Sequence, residues 1–292
     1  VDSIQTQPGH PGEPVGRNAN RIGGAKFTLN GVTYELAKNS AEVNNLHSGP
    51  DYYRDRIWDA EVEETALGTT ITFGLHSPDG DQGYPGNADI TVSYTLTPDN
   101  CLKLDYHMVS DADTIANFTN HVYFNLGGYK SGSALDQKVW IDADYFTATD
   151  ANSIPTGELV AVKGTPMDFT EMKPIGRDIQ EDYQALKYGN GYDHNWALNH
   201  PAGELSLSAK AEDEKTGRTM EVYTDLPGVQ FYTANSLKTE RGKNHAVYTP
   251  RCGYCFETQY FPDAINKPEF ASPVVKAGEE YKTTTIYKFG VK

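Results

Sequence analysis

Five stretches of this chain alternate apolar and polar residues with a period of two: 70–75, 90–96, 102–108, 205–208 and 283–289. Successive side chains of an extended strand point to opposite faces, so such a stretch puts one face on a core and one toward water. Turn residues punctuate the runs at Asn30-Gly31, Pro78-Asp79-Gly80 and Pro98-Asp99-Asn100. These residues supply the backbone angles that reverse a chain. Helical spacing is scarce, and residues 179–186 are expected to form one short helix. The pattern predicts an all-β chain, a large antiparallel β-sandwich or barrel. Its 19 Tyr and 11 Phe suit pleated, half-buried surfaces. No linker or charge block divides the sequence. Residues 1–15, rich in Pro, Gly and Gln, read as an irregular lead-in, and residues 16–292 as a single domain.

Charge and composition narrow the partners. The formal net charge is −15 over 292 residues, which disfavours nucleic acid and anionic membranes. No apolar run approaches the roughly 20 residues of a membrane span, and no signal peptide is visible. Three cysteines, Cys101, Cys252 and Cys255, are too few for a disulfide framework. Cys252-Gly253-Tyr254-Cys255 has metal-ligand or redox spacing, but without a second pair it reads as packing thiols. Asn117-Phe118-Thr119 is a glycosylation sequon beside a candidate site, where a glycan would crowd it. It reads as chance, and the compartment stays open between cytoplasmic and secreted.

Four segments carry polar groups dense enough for chemistry. In the first, residues 119–128, His121 sits in an aromatic and β-branched run that reads as a strand ending at Gly127-Gly128. A strand can hold an imidazole rigidly, as acid–base work requires; a core His bonded to a carbonyl is the plain alternative. In the second, Glu257 lies among Tyr254, Cys255, Phe256, Tyr260 and Phe261. A carboxylate in such company either pairs with a cation or serves as a base. In the third, Asp193 lies beside Tyr192, His194 and Trp196, residues suited to accept sugar hydroxyls and stack on a sugar's C–H face. In the fourth, Arg17 and Arg21 flank Asn18 and Asn20. They form either a donor fork for a polyhydroxylated ligand or a turn with surface arginines. His47, just before a turn, reads by itself as a loop His. No Gly-x-Ser-x-Gly nucleophile elbow, phosphate loop or dinucleotide fingerprint occurs.

Taken together and in order, these segments resemble the aldose 1-epimerase (galactose mutarotase) family. The matching pieces are Gly16-Arg17-Asn18-Ala19-Asn20-Arg21-Ile22, Asn45-Leu46-His47-Ser48-Gly49, and residues 77–87, 119–128 and 192–195. Pro227-Gly228-Val229-Gln230-Phe231-Tyr232 and Glu257-Thr258-Gln259-Tyr260-Phe261-Pro262-Asp263-Ala264 complete the set. The resemblance implies the mutarotase supersandwich, two large twisted sheets with a sugar groove. It implies Glu257 as general base and His121 as general acid in opening and reclosing an aldohexose ring. It assigns His47 to the ring-oxygen side, Asp193 to vicinal hydroxyls, and Asn20, Arg21 and Gln230 to further hydrogen bonds. It calls for a free monosaccharide partner and no metal or cofactor.

Two departures stand out. Ser48 replaces a usual glycine, so a glycine-only backbone conformation there would be strained. The family's strands ahead of the Gly-Arg motif are not in evidence, so either another segment or a second chain supplies them, or a sheet edge lies exposed. The competing readings are a non-catalytic carbohydrate-binding module, a hexose 6-phosphate relative, and a glycoside hydrolase using Glu257 with Asp193.

Overall fold

The alternating stretches lie side by side. In the computed structural model, which describes residues 12–239 and 242–292, Ala88–Leu96 pairs antiparallel with Cys101–Ser110 across the Pro98-Asp99-Asn100 turn. Gly68–Ser77 flanks the first of these and Glu280–Val291 the second. Arg218–Thr224, Ser206–Glu212, Lys138–Ile141 and Lys173–Pro174 continue one way, and Asp59–Thr65 ends the other, making nine antiparallel strands. A second sheet has five, in the order Pro155–Ala161, Tyr145–Thr149, Asp193–Ala197, Gly228–Tyr232, Cys255–Gln259.

One apolar core joins the two sheets. The cross-strand pairs Ile90–Met108 and Val92–Tyr106 of the large sheet share it with Trp196, Phe231 and Phe256 of the smaller one. Two hydrogen bonds cross the interface: the Thr258 and Thr285 hydroxyls meet at 2.6 Å, and the Tyr287 hydroxyl donates to the Phe256 carbonyl at 3.0 Å. Stacked sheets sharing a core are a β-sandwich, as the alternation predicts. The outermost strand of the large sheet carries Asp59, Glu61, Glu63 and Glu64. Charge along an exposed edge discourages another strand from adding to it.

Register decides which side chains leave the core. In the five-stranded sheet Asp193 faces Tyr232, which faces Cys255; Asn195 faces Gln230, which faces Glu257; and Gly228 faces Gln259. Residues opposed across a ladder share a face. One face of the sheet therefore presents Phe231, Phe256 and Trp196 to the core, and the other presents this polar set.

Several expectations need correction. Residues 119–128 are not one strand. Thr119–Asn120 pairs with Pro14–Val15, and Phe124 makes a separate bridge to Tyr254. The chain changes partners there, and His121–Tyr123 spans the gap between them. The expected helix forms later, at Gln184–Gly189, because Asn190 in a left-handed conformation (φ 51°) caps the turn on the Leu186 and Lys187 carbonyls. Within the lead-in, Pro14–Val15 is strand and Gly12 N–H donates to the His121 carbonyl; residues 1–11 lie outside the described residues. Ser48 does sit in the left-handed region (φ 57°), but its hydroxyl donates to the Asn18 carbonyl, accepts the Asn18 N–H and meets the Tyr84 hydroxyl. Those bonds offset a conformational cost of about 1 kcal/mol.

Arg17 is neither a ligand fork nor a surface side chain. It is 0 % exposed. Its guanidinium donates to the Pro85 and Gly86 carbonyls, the Thr114 hydroxyl and the Ser77 hydroxyl at 2.7–3.3 Å. It ties the Gly-Arg segment to the end of Gly68–Ser77 and the loop that follows. Arg17→Leu orphans these acceptors, so urea unfolding should show a loss of about 3 kcal/mol. A loss under about 1 kcal/mol would refute the clamp.

His194, on the core face beside Trp196 and Phe146, accepts the Asp193 N–H on Nδ1 and bonds to the Ala185 backbone. Burial lowers its pKa from 6.5 to about 4. The unfolded chain therefore binds this proton at higher pH than the folded one. The stability contribution is whole above about 6.5 and lost as pH falls toward about 4, amounting to about 3 kcal/mol. A His194→Gln variant should show a correspondingly flatter decline in stability over that window. Parallel curves would contradict the assignment.

Candidate active site

The polar face of the five-stranded sheet floors a cavity of about 320 Å³. Glu257, His121, His47, Asp193, Arg21, Asn20 and Gln230, all singled out from sequence, line this one cavity. Three come from the sheet itself. Asn20 and Arg21 come from the loop and short strand Arg21–Ile22, which pairs with Asn45–Leu46 and so brings His47 alongside. His121 follows Thr119–Asn120, with its N–H donating to the Glu13 carbonyl.

Glu257 is the least exposed acid of the group, at 2 %. Burial and the Asp193 carboxylate push its pKa well above the ordinary carboxylate value, and the Arg21 guanidinium pulls against them. Its Oε1 lies 3.6 Å from His121 Nε2. Its Oε2 is buried and finds no hydrogen-bond partner among the described residues. A buried carboxylate oxygen with spare acceptor capacity is costly unless a ligand fills it.

Each imidazole is oriented by its second nitrogen. His47 Nδ1 accepts the Asn20 N–H at 3.1 Å, so the ring proton sits on Nε2 and His47 is a donor. His121 Nδ1 lies 3.4 Å from the Cys255 sulfur, leaving Nε2 toward Glu257. The spacing of His47, His121 and Glu257, with ligand atoms within 4.8 Å of one another, would suit a metal ion. The tautomer of His47 does not: ligation through Nε2 requires a proton on Nδ1, pointing into the Asn20 N–H.

Asp193 heads a chain of side-chain amides. Gln230 Nε2 donates to Asp193 Oδ1 at 2.8 Å, and Gln259 Nε2 donates to Gln230 Oε1 and Asn195 Oδ1. Asn20 Nδ2 then donates to Gln259 Oε1, and Asn20 Oδ1 accepts the Arg21 N–H. An ionised Asp accepts only, so it fixes the sense of every amide behind it.

Sequence reasoning missed part of the lining. Tyr123 and Tyr232 flank His121 with ring centroids 5.0 and 6.1 Å from it. Gln259 and Cys255 are buried behind the lining on the same strand face as Glu257, and the period-two spacing 255–257–259 was the signal that could have found them. Leu46, Ser236, Leu237 and the exposed Lys238 carry no such signal. The Asn117 amide bonds the Tyr260 carbonyl and N–H and is 1 % exposed, which leaves no room for a glycan in the folded chain. Cys255 contributes to no metal cluster among the described residues.

A family model described as aldose 1-epimerase matches residues 1–288. The galactose mutarotase of Bos taurus is 42% identical over 289 residues, covering 99% of this chain and 81% of the relative. The aldose 1-epimerase of Escherichia coli is 35% identical over 290 residues, covering 99% and 82%. Among solved structures, an aldose epimerase homologue from C. elegans superposes with a TM-score of 0.88 at 25% identity, covering 100% of this chain and 86% of that one. A galactose 1-epimerase from Lactobacillus acidophilus gives 0.86 at 27%, covering 99% and 82%. With its sandwich, its sugar-sized polar cavity and these likenesses, the chain belongs to the aldose 1-epimerase family, isomerases that interconvert the α and β anomers of aldoses.

Proposed function

We propose that the chain interconverts the anomers of free aldohexoses, galactose and glucose foremost, with Glu257 as general base and His121 as general acid. The observation that carries this reading is the Glu257 carboxylate in the cavity floor, whose Oε1 lies 3.6 Å from His121 Nε2 and whose Oε2 has no hydrogen-bond partner among the described residues. Glu257 takes the proton of the anomeric hydroxyl as His121 Nε2 protonates the ring oxygen. The C1–O5 bond breaks and C1 becomes an aldehyde. Rotation about C1–C2 presents the other carbonyl face. The O5 hydroxyl then attacks, returns its proton to His121, and the new C1 oxygen takes the proton from Glu257. One proton moves each way, and no group is consumed.

Physical chemistry supports the choice of residues. A carboxylate whose pKa burial has raised is a stronger base and can still hold its proton through the open-chain stage. His47, a fixed Nε2–H donor, suits the ring-oxygen side. Asp193 suits two vicinal hydroxyls, with Gln230, Asn20 and Arg21 around them. Tyr123 and Tyr232 offer aromatic faces to the sugar's C–H surface.

Polarimetry on freshly dissolved α-D-galactose and α-D-glucose tests the reading: the protein should speed approach to an unchanged final rotation. Glu257→Gln and His121→Gln should each lower kcat by about 10²–10⁴-fold. Glu257→Gln should also raise the melting temperature, because it removes a charge whose burial disfavours the fold. Full activity in the Glu257→Gln variant would dismiss the base assignment.

The pH profile follows from the same electrostatics. The base must be ionised, so activity falls as pH drops through the raised Glu257 pKa, above the usual carboxylate range. Arg21 lowers that pKa, so Arg21→Met should move the acid limb to higher pH. A limb that stays in place would show that Glu257 does not set it.

A further inference from the structure

Cys255 takes no part in the proton transfers above, yet it touches the group that makes them. Its sulfur lies 3.4 Å from His121 Nδ1. It shares a strand face with Glu257, two residues away, so one strand contacts the imidazole at both nitrogens: Cys255 at Nδ1 and Glu257 at Nε2. The Tyr123 ring packs at 5.0 Å, and the His47 and Tyr232 rings meet the imidazole edge-on at 5.6 and 6.1 Å. The thiol is 0 % exposed, so it acts through contact and not as a reagent.

We propose that Cys255 is a positioning residue for the acid: its sulfur accepts the Nδ1–H of His121, so that the proton exchanged with the sugar ring oxygen leaves and returns through Nε2. This rests on the reading of His121 as general acid. In the imidazolium form both nitrogens carry protons, Nδ1–H on sulfur and Nε2–H toward the ring oxygen. After transfer, the neutral ring keeps Nδ1–H and presents a bare Nε2 ready to recover its proton. The thiol keeps its own hydrogen throughout, because burial and the Glu257 carboxylate disfavour the thiolate.

The choice of sulfur matters. A thiol is a weak acceptor. A carboxylate in its place would stabilise the imidazolium and blunt it as an acid, whereas an apolar group would let the neutral ring carry its hydrogen on either nitrogen. Among the described residues, the other titratable groups around the ring and its cavity are Glu257 on the same strand, Tyr232 and Asp193 on the neighbouring strands, Tyr123 two residues on from the imidazole, His47 and Arg21 from the facing loops, and Lys238 at the rim. Among the described residues, it is the Cys255 sulfur that lies at Nδ1.

The test uses the full chain with Cys255→Ala and Cys255→Ser, reading kcat and KM by polarimetry across roughly pH 5 to 9. Histidine labelled with ¹⁵N reports the His121 tautomer by NMR in the resting protein. Wild type should show the Nδ1–H form when neutral. The alanine variant should lose about tenfold in kcat with KM within about twofold, and its neutral His121 should divide between tautomers. Serine should restore the Nδ1–H form and most of kcat, with the His121-dependent limb moved to higher pH, since a hydroxyl accepts more strongly. If alanine does not fold, serine carries the same readouts. A neutral wild-type His121 protonated on Nε2, or an alanine variant with wild-type kcat, profile and tautomer, would overturn the proposal. The spectrum reads the contact independently of turnover, so absence of sugar turnover would strike the reaction and a wrong tautomer the contact.

Discussion

A carboxylate that is 2 % exposed, with one oxygen lacking a hydrogen bond among the described residues, has to be tolerated by everything around it. Glu257 sits in the last strand of the five-stranded sheet, opposite Gln230 in the ladder. Its electrostatics are unfavourable: burial and Asp193 oppose the charge, and Arg21 opposes them both. A purely structural carboxylate would be paired or exposed. The sheet instead holds this one rigidly and leaves it short of a partner, which a sugar hydroxyl can supply. The rest of the sandwich serves that placement. The core faces of the same strands bury Phe231, Phe256 and Trp196, and that packing secures a surface the site itself would destabilise.

The same logic governs the amides. The side-chain amides of Gln230, Gln259 and Asn20 could each turn either way, and one turned the wrong way would set donor against donor along the chain. Because Asp193 accepts only, Gln230 must donate to it, Gln259 must donate to Gln230, and Asn20 must donate to Gln259. One charged residue thus sets the polarity of the three amides behind it. The tautomer of His47 is fixed in the same way by a backbone N–H. Preorganisation of this kind lets the site bind without first reorienting its own groups.

Much of this was legible in the sequence because strands have a fixed period. The alternation of 90–96 and 102–108 reports a half-buried sheet, and the odd-numbered positions 255, 257 and 259 report one polar face. What periodicity cannot report is the partner. Residues 119–128 have strand composition throughout, but the regular pairing with Pro14–Val15 ends at Asn120 and the next bridge is Phe124 to Tyr254, with His121 held by backbone bonds to Glu13 and Gly12. Arg17 reads as a surface or ligand cation because charge normally seeks water. Acceptors far away in sequence, the Pro85 and Gly86 carbonyls and the Ser77 and Thr114 hydroxyls, explain its burial. Lys238 and Leu237 reach the cavity rim on a loop with no pattern at all.

The position of His121 depends most on long-range partners. Its backbone is held by Glu13 and Gly12 on one side, and its ring by Cys255 and Tyr123 on the other. The segment that holds the backbone is in turn anchored by the Arg17 clamp a few residues on. The general acid proposed above would give up a proton and recover it, and so has to return to one geometry in both charge states. A residue inside a continuous strand would have its side chain aimed by the ladder alone. Here the regular pairing ends at Asn120, His121 keeps backbone bonds to Glu13 and Gly12, and its imidazole lies against the Glu257 strand with both nitrogens near side chains of that strand. Composition at 119–128 favours a continuous strand. The regular pairing ends where Glu257 and Cys255 contact the imidazole, a place where local composition and long-range contacts disagree.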